Sequence, residues 1–311
     1  MGKVEVLPEQ SIQYEHFSKE VHNVLQQDNF DGFRAEIAKN VTRNLQSSHT
    51  ILLGTIRDKG YMYQFGPSYQ SADGKTMVLS RIGTDGMVNT RLSRRFGNNI
   101  DCKFSSSSSI NHEERNMSEL SLEYNGFDWS ACIKAAYNGT GLLNGSYSQV
   151  ITPKLQLGGE LTWISANCTS IMAIGSRYRI GKNTIFTQIS RQPDFSTLQG
   201  MLSNSHSIKS SFCRKVSDRL SLATELECTW PNYESSLKLG YEYLFKTARI
   251  QGMIDTGGRL SMQCQDVQGF GISGMIDYLK SDYRFGFMMQ FMPQEQGQDV
   301  YSLGNADNSK S

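Results

Sequence analysis

The sequence predicts an all-β membrane protein: an up-and-down transmembrane β-barrel of about 19 strands behind a short helical segment. Three observations lead there. From about residue 48 the apolar residues recur with period two, almost to the end of the chain. Tight-turn dipeptides punctuate that pattern at short intervals. No apolar run approaches the roughly 20 residues that a membrane helix needs.

Composition narrows the classes. Of the 311 residues, Lys and Arg supply 31 and Asp and Glu 30, a formal charge of +1. A general nucleic-acid binder needs a basic excess to neutralise phosphates, so nucleic acid is not an expected partner. A barrel strand needs only about 10 residues, every second one apolar, so modest overall hydrophobicity does not exclude the membrane. The 28 Gly, 15 Phe and 14 Tyr against 6 Pro suit long strands joined by tight turns. The six cysteines (Cys102, Cys132, Cys168, Cys213, Cys228, Cys264) show no CxxC spacing and read as reduced thiols in apolar roles. The first residues, MGKVEVLPEQ, fit neither a secretory signal nor an Arg-rich transit peptide.

Along the chain, residues 1–10 are expected to be disordered. Residues 11–27 read as one helix, with Tyr14, Phe17, Val21, Val24 and Leu25 at three- and four-residue steps and Ser11 as N-cap. Such a stripe suits either a soluble core or a barrel wall. Asp31-Gly32 marks a hinge. Residues 33–47 admit a short helix or a strand, and the helical segment is bounded at 11–47.

The barrel is expected over 48–292. Phe127, Trp129, Ala131, Ile133, Ala135 and Tyr137 alternate with Asp128, Ser130, Cys132 and Lys134. Residues 220–230, 237–245 and 283–291 repeat the scheme, and 155–163, 185–189 and 270–278 do so more weakly. Asp73-Gly74, Asp85-Gly86, Gly97-Asn98, Asn138-Gly139 and Gly257-Gly258 supply turns. Ser105–Ser109, followed by charged 112–115, reads as a loose loop. At about 12–13 residues per strand and turn, these roughly 245 residues hold about 19 strands. That number closes into a barrel with a water-filled lumen or makes a very large soluble sandwich. Aromatics near strand ends, such as Trp129, Trp163, Trp230 and Tyr283, suit headgroup level and favour the barrel. Residues 293–311 are expected to form a flexible tail.

Five stretches then carry a resemblance: Tyr14–Gly54, TDGMVNTRL at 84–92, VSDRLSLATEL at 216–226, LGYEYLFKTARIQGMID at 239–255 and DYRFGF at 282–287. In this order they resemble the channel-forming β-barrel subunit of the mitochondrial outer-membrane protein translocase, the TOM complex. The match spans about 11–292 and is loose over 167–210. It implies a 19-stranded barrel of the mitochondrial porin superfamily, with an N-terminal helix threaded through the pore. It implies a mitochondrial outer-membrane location and conduction of unfolded precursor proteins, with no enzymatic activity and no cofactor. The implied partners are a receptor subunit with one membrane helix, small single-helix subunits, a second copy of the barrel, membrane lipids and intermembrane-space chaperones. The last strand also fits the sorting signal of mitochondrial barrels, with Arg284, Gly286, Met289 and Phe291 in the polar, glycine and apolar places.

If the aromatic faces meet lipid, the opposite faces line the lumen. Glu123, Asp128, Glu160, Glu225, Glu227 and Glu242 then point inward, with Lys134, Arg177, Arg179, Lys238 and Arg284. Presequences resemble basic amphipathic helices, so these acids are expected to contact them weakly through a focused field. Otherwise they are solvated carboxylates or lumen salt bridges. The inner-helix stripe is expected to shield apolar segments of passing chains. A metabolite porin of the voltage-dependent anion channel type is the alternative, and a soluble β-sandwich binding protein is a third class. Gly269, Gly271 and Gly274 spell a G-x-G-x-x-G, but strand-like flanks argue against nucleotide binding. The five histidines show no metal spacing, and no metal site is expected.

Overall fold

The computed structural model describes residues 11–54, 60–110, 116–193 and 204–291. The expected disordered start (1–10), the charged stretch 112–115 and the tail 293–311 lie outside the described residues. A 3-10 turn (Tyr14–His16) and a helix α1 (Lys19–Leu25) precede 19 strands. The first six are β1 (Gly32–Thr42), β2 (Leu45–Leu53), β3 (Tyr61–Gln70), β4 (Thr76–Gly83), β5 (Met87–Phe96) and β6 (Ile100–Ser109). Next come β7 (Met117–Asn125), β8 (Trp129–Tyr137), β9 (Gly141–Thr152), β10 (Leu155–Ile164), β11 (Thr169–Ile180) and β12 (Asn183–Pro193). The last are β13 (Asn204–Lys215), β14 (Leu220–Trp230), β15 (Glu234–Leu244), β16 (Ala248–Asp255), β17 (Arg259–Asp266), β18 (Phe270–Asp277) and β19 (Asp282–Phe291).

Each strand pairs antiparallel with its chain neighbours, and β1 closes on β19 in parallel. Parallel closure follows from the odd strand count, which leaves the first and last strands running the same way. The seam joins Gly32 to Gly286 and ends at Ile37 with Phe291. Turn glycines do what their spacing foretold: Gly86 has φ +78° and Gly139 φ +70°, conformations that L side chains rarely adopt.

The distribution of polarity is the reverse of a soluble core. Ser130, Ser148, Ser211, Ser261 and Ser273 are each 1% exposed, whereas Ile189, Ile254 and Ile272 are more than half exposed. Ladder partners share a face, so the register assigns every strand residue. Among the described strands, the outward positions carry Lys, Arg, Asp or Glu only at Lys39, Arg94, Arg191, Arg214 and Asp266, beside two histidines, His49 and His206. All five sit toward strand ends, where long side chains can reach headgroup level. A soluble sandwich would leave such an apolar outer wall in water.

Four expectations need correction. The single helix over 11–27 is two short pieces broken at Phe17-Ser18, and Ser11 caps neither. Its hydroxyl donates instead to the Gly126 carbonyl (2.9 Å), holding the segment to the β7–β8 turn. The segment bounded at 11–47 is also too long, because the barrel starts at Gly32 rather than 48 and ends at Phe291. Phe33, Ala35 and Ile37 face outward as strand residues, and β2 and β19 satisfy the backbone of β1 on both sides. The serines 105–109 are ladder residues of β6, paired with both β5 and β7, which overrides weak intrinsic strand propensity. Finally, Asp128 lies exposed in the β7–β8 turn and not on the lumen wall.

Candidate conducting lumen

The N-terminal segment runs inside the barrel along one side of the wall. At its start Ser11 N–H donates to the Phe127 carbonyl (3.0 Å), and Gln13 Nε2 donates to Glu123 and Asn125 (both 3.1 Å). Ser148 Oγ donates to the Ile12 carbonyl (2.6 Å). Phe17 forms edge-to-face contacts with Tyr14 and with Phe186, at centroid distances of 5.4 and 6.3 Å. Val21, Val24 and Leu25 of α1 pack on Cys213, Ala223 and Met253. The segment leaves by Asn23, whose carbonyl accepts from Gln251 (2.7 Å), and by Phe30, whose carbonyl accepts from Ser273 (2.6 Å).

Every residue of the apolar stripe is therefore buried against the wall: Tyr14, Phe17, Val21, Val24 and Leu25 are 1–6% exposed. This corrects the expectation that the stripe shields passing chains. Its apolar atoms are already covered, because wall positions opposite it are small or apolar. Glycines make room. A Cβ on Gly158 would lie 2.8 Å from the Tyr14 ring, and one on Gly240 2.7 Å from a Leu25 methyl.

Charge fixes the middle of the segment. Glu20 accepts from Arg177 (3.3 Å) and from the Thr184 hydroxyl (2.5 Å). Burial pushes the Glu20 carboxyl up, but Thr184 together with Arg177, Arg179 and Lys215 outweighs it and holds the group below the usual carboxylate range. Burial, with the Glu160 charge behind it, pushes the Tyr14 hydroxyl up to about 12. Burial also lowers the His16 imidazole, assisted by Lys19.

The remaining acids from the sequence reading do line the lumen, but most have partners. Glu123 takes Lys103, Glu225 bridges Lys209 (3.0 Å) and Lys238 (3.1 Å), and Glu242 takes Arg249. Glu160 accepts from Asn144 and makes no ion pair among the described residues, and Glu227 faces Lys209 across the ladder while that lysine reaches Glu225. Lys134 pairs with Glu15 of the inner segment, and Arg284 with Asp282. In the last strand, Arg284 and Gly286 face inward while Met289 and Phe291 face outward.

The inner segment leaves the β2–β6 side of the wall uncovered. There a cavity of about 480 Å³ lies between His16 and a wall that includes Met77, Leu79, Arg91, Lys103 and Glu119. Arg81, Arg91 and Glu119 were missed in the sequence. On β4 both faces carry apolar residues, and on β5 and β6 serine, threonine and asparagine occupy both faces, so the inward set there cannot be told from the outward one; Glu119 follows by parity from Glu123 on β7.

A closed barrel with an apolar outer wall, charged residues inside and an inner segment tied to one side defines a membrane pore. The chain belongs to the eukaryotic porin family, whose model matches residues 11–286. It is similar to the probable mitochondrial import receptor subunit TOM40-2 of Arabidopsis thaliana, at 26% identity over 292 residues, 89% of this chain and 88% of that protein. The mitochondrial import receptor subunit TOM40 homolog of Homo sapiens is 22% identical over 278 residues, covering 83% of this chain and 72% of its own. The crystal structure of Pseudomonas aeruginosa OccK11 matches with a TM-score of 0.51 at 9% identity, over 85% of this chain and 97% of that one, a likeness of fold alone.

Proposed function

We propose that this barrel is a protein-conducting channel of the mitochondrial outer membrane, passing unfolded precursor proteins. One observation carries the reading beyond a generic pore. The N-terminal segment lies flat against the wall with its apolar stripe turned away from the opening, so it narrows the lumen without plugging it. The lumen then meets a passing chain with dispersed, mostly paired charges, which favours many weak contacts over one tight site. The relatives named as import receptor subunits support the same reading.

Within it, Glu160 and Glu227 are the lumen acids best able to meet basic presequences, because neither is held in a salt bridge. Glu123, Glu225 and Glu242 act through their share of the field. The barrel works inside a TOM-type translocase, beside a receptor with one membrane helix, small single-helix subunits and a second barrel, and hands chains to intermembrane-space chaperones. Arg284, Gly286, Met289 and Phe291 form the sorting signal, read by strand addition before β19 closes on β1.

The test is planar-bilayer recording of the purified full chain with and without a basic presequence peptide. Voltage-dependent blockades by the peptide are expected. Current that ignores the peptide while small anionic metabolites pass would instead favour a metabolite porin, the second reading that the shared family leaves standing.

A further inference from the structure

A second cavity of about 480 Å³ opens where α1 ends, between it and β1, β16, β17 and β19. Its lining is unusual in kind. Six glutamines converge on it: Gln26, Gln27, Gln251, Gln263, Gln265 and Gln290. Three are already committed: Gln251 donates to the Asn23 carbonyl (2.7 Å), Gln263 accepts from Asp28 N–H (3.1 Å), and Gln27 is buried with its amide against Ser261, Gly252 and Met253 of the wall. Gln26 on the segment, Gln265 on β17 and Gln290 on β19 present their amides to the opening.

Both arginines of the lining are already paired with carboxylates. Arg34 pairs with Asp28 (3.1 Å) and Glu36 (3.8 Å), and Arg249 with Glu242. A phosphate ligand would need cations not already spent on carboxylates. A saccharide or a nucleobase would need a broad aromatic face to stack on, and the lining holds no Phe, Tyr or Trp, only the small imidazole of His22. What remains is a neutral site whose side chains each offer one carbonyl and one NH2 group. Those are the donor and acceptor of a peptide unit. An extended chain presents the same pair every 3.3–3.6 Å or so, whatever its side chains.

We infer that this glutamine-lined cavity hydrogen-bonds the backbone of an extended polypeptide in transit, independently of sequence and charge. The inference rests on the protein-conducting reading and adds a recognition chemistry to it. Three exchangeable amides hold a segment briefly and let the next segment take its place, as transport requires. The site explains how a chain without basic residues could be retained as well as a presequence.

The test is single-channel recording of the full-length barrel with two unfolded peptides, one basic and one uncharged. Gln26→Leu with Gln290→Leu should shorten blockade dwell times about five-fold or more for both peptides, from the loss of two amide contacts of ordinary strength. The reversal potential should not move, since no charge changes. A second arm leaves the protein unaltered. A depsipeptide, with backbone esters in place of alternate amides, should dwell more briefly than its parent in the wild-type pore and equally in the double variant. Dwell times unchanged in the variant, or reduced for the basic peptide alone, overturn the amide site while leaving the conducting reading intact. A wild-type pore that neither peptide blocks overturns both.

Discussion

Two glycines on the wall set how closely the inner segment lies. A side chain at Gly158 or Gly175 would enter the space of the Tyr14 ring, with Cβ at 2.8 and 3.1 Å. Gly175→Val is expected to cost about 1–3 kcal/mol of docking through overpacking. Limited proteolysis of the reconstituted barrel would show it, as faster cleavage near Tyr14. Glu20 gives the same contact a pH dependence. Its carboxyl is held below the ordinary range when docked, so its stabilisation is complete above the ordinary carboxylate pKa. That stabilisation is lost as pH falls through the depressed value. A spin label at Asn23 is therefore expected to gain mobility on acidification below the carboxylate range. In Glu20→Gln it should be mobile already near neutrality and change little with acid.

At the scale of elements, the wall and the inner segment make different demands. Leu222, two residues into β14, and Leu239, at the middle of β15, face outward, 41% and 43% exposed. Arg at either is expected to cost about 2–4 kcal/mol if that level is mid-bilayer. The measurement is the midpoint of urea unfolding in lipid vesicles, and an unshifted midpoint contradicts the facing. Phe17→Ala is expected to loosen the segment by about 3–5 kcal/mol. Open-channel current noise should rise, because the freed turn then samples the lumen. Strong alternation made β8, β14 and β19 legible in the sequence, for one face of each must be apolar. β1 was not legible as a strand. Its outer face is Phe33, Ala35, Ile37, Lys39 and Val41, and its inner face holds Ala38, so neither face is purely apolar or polar. The break in the inner helix was equally hidden, since the wall glycines Gly158 and Gly175 that receive Tyr14 lie far away in sequence.

For the whole molecule, the lumen acids were found by parity, while their partners came from strands far away in sequence. Glu225 illustrates this, sharing its oxygens with Lys209 and Lys238 on the two flanking strands. Alternation predicts which way a residue points, but not what stands beside it in the ladder. The pairing separates two outcomes. Glu227→Gln should lower cation selectivity with no loss of stability, read as a smaller reversal potential in a salt gradient. Glu225→Lys should lower selectivity too, and also destabilise the wall by leaving three lysines together.

All of this depends on which side of the sheet meets lipid. Spin labels placed one at a time from Ser221 to Leu226 measure it directly, with oxygen as the lipid-soluble relaxing agent and a nickel chelate as the aqueous one. The expected result is alternation interrupted once: oxygen relaxes 222, 224 and 226, nickel relaxes 221 and 225, and 223, buried under the inner helix, is reached by neither. Equal access of nickel to both sets would mean that β14 has water on two sides, and no membrane-spanning conduit could be built from it.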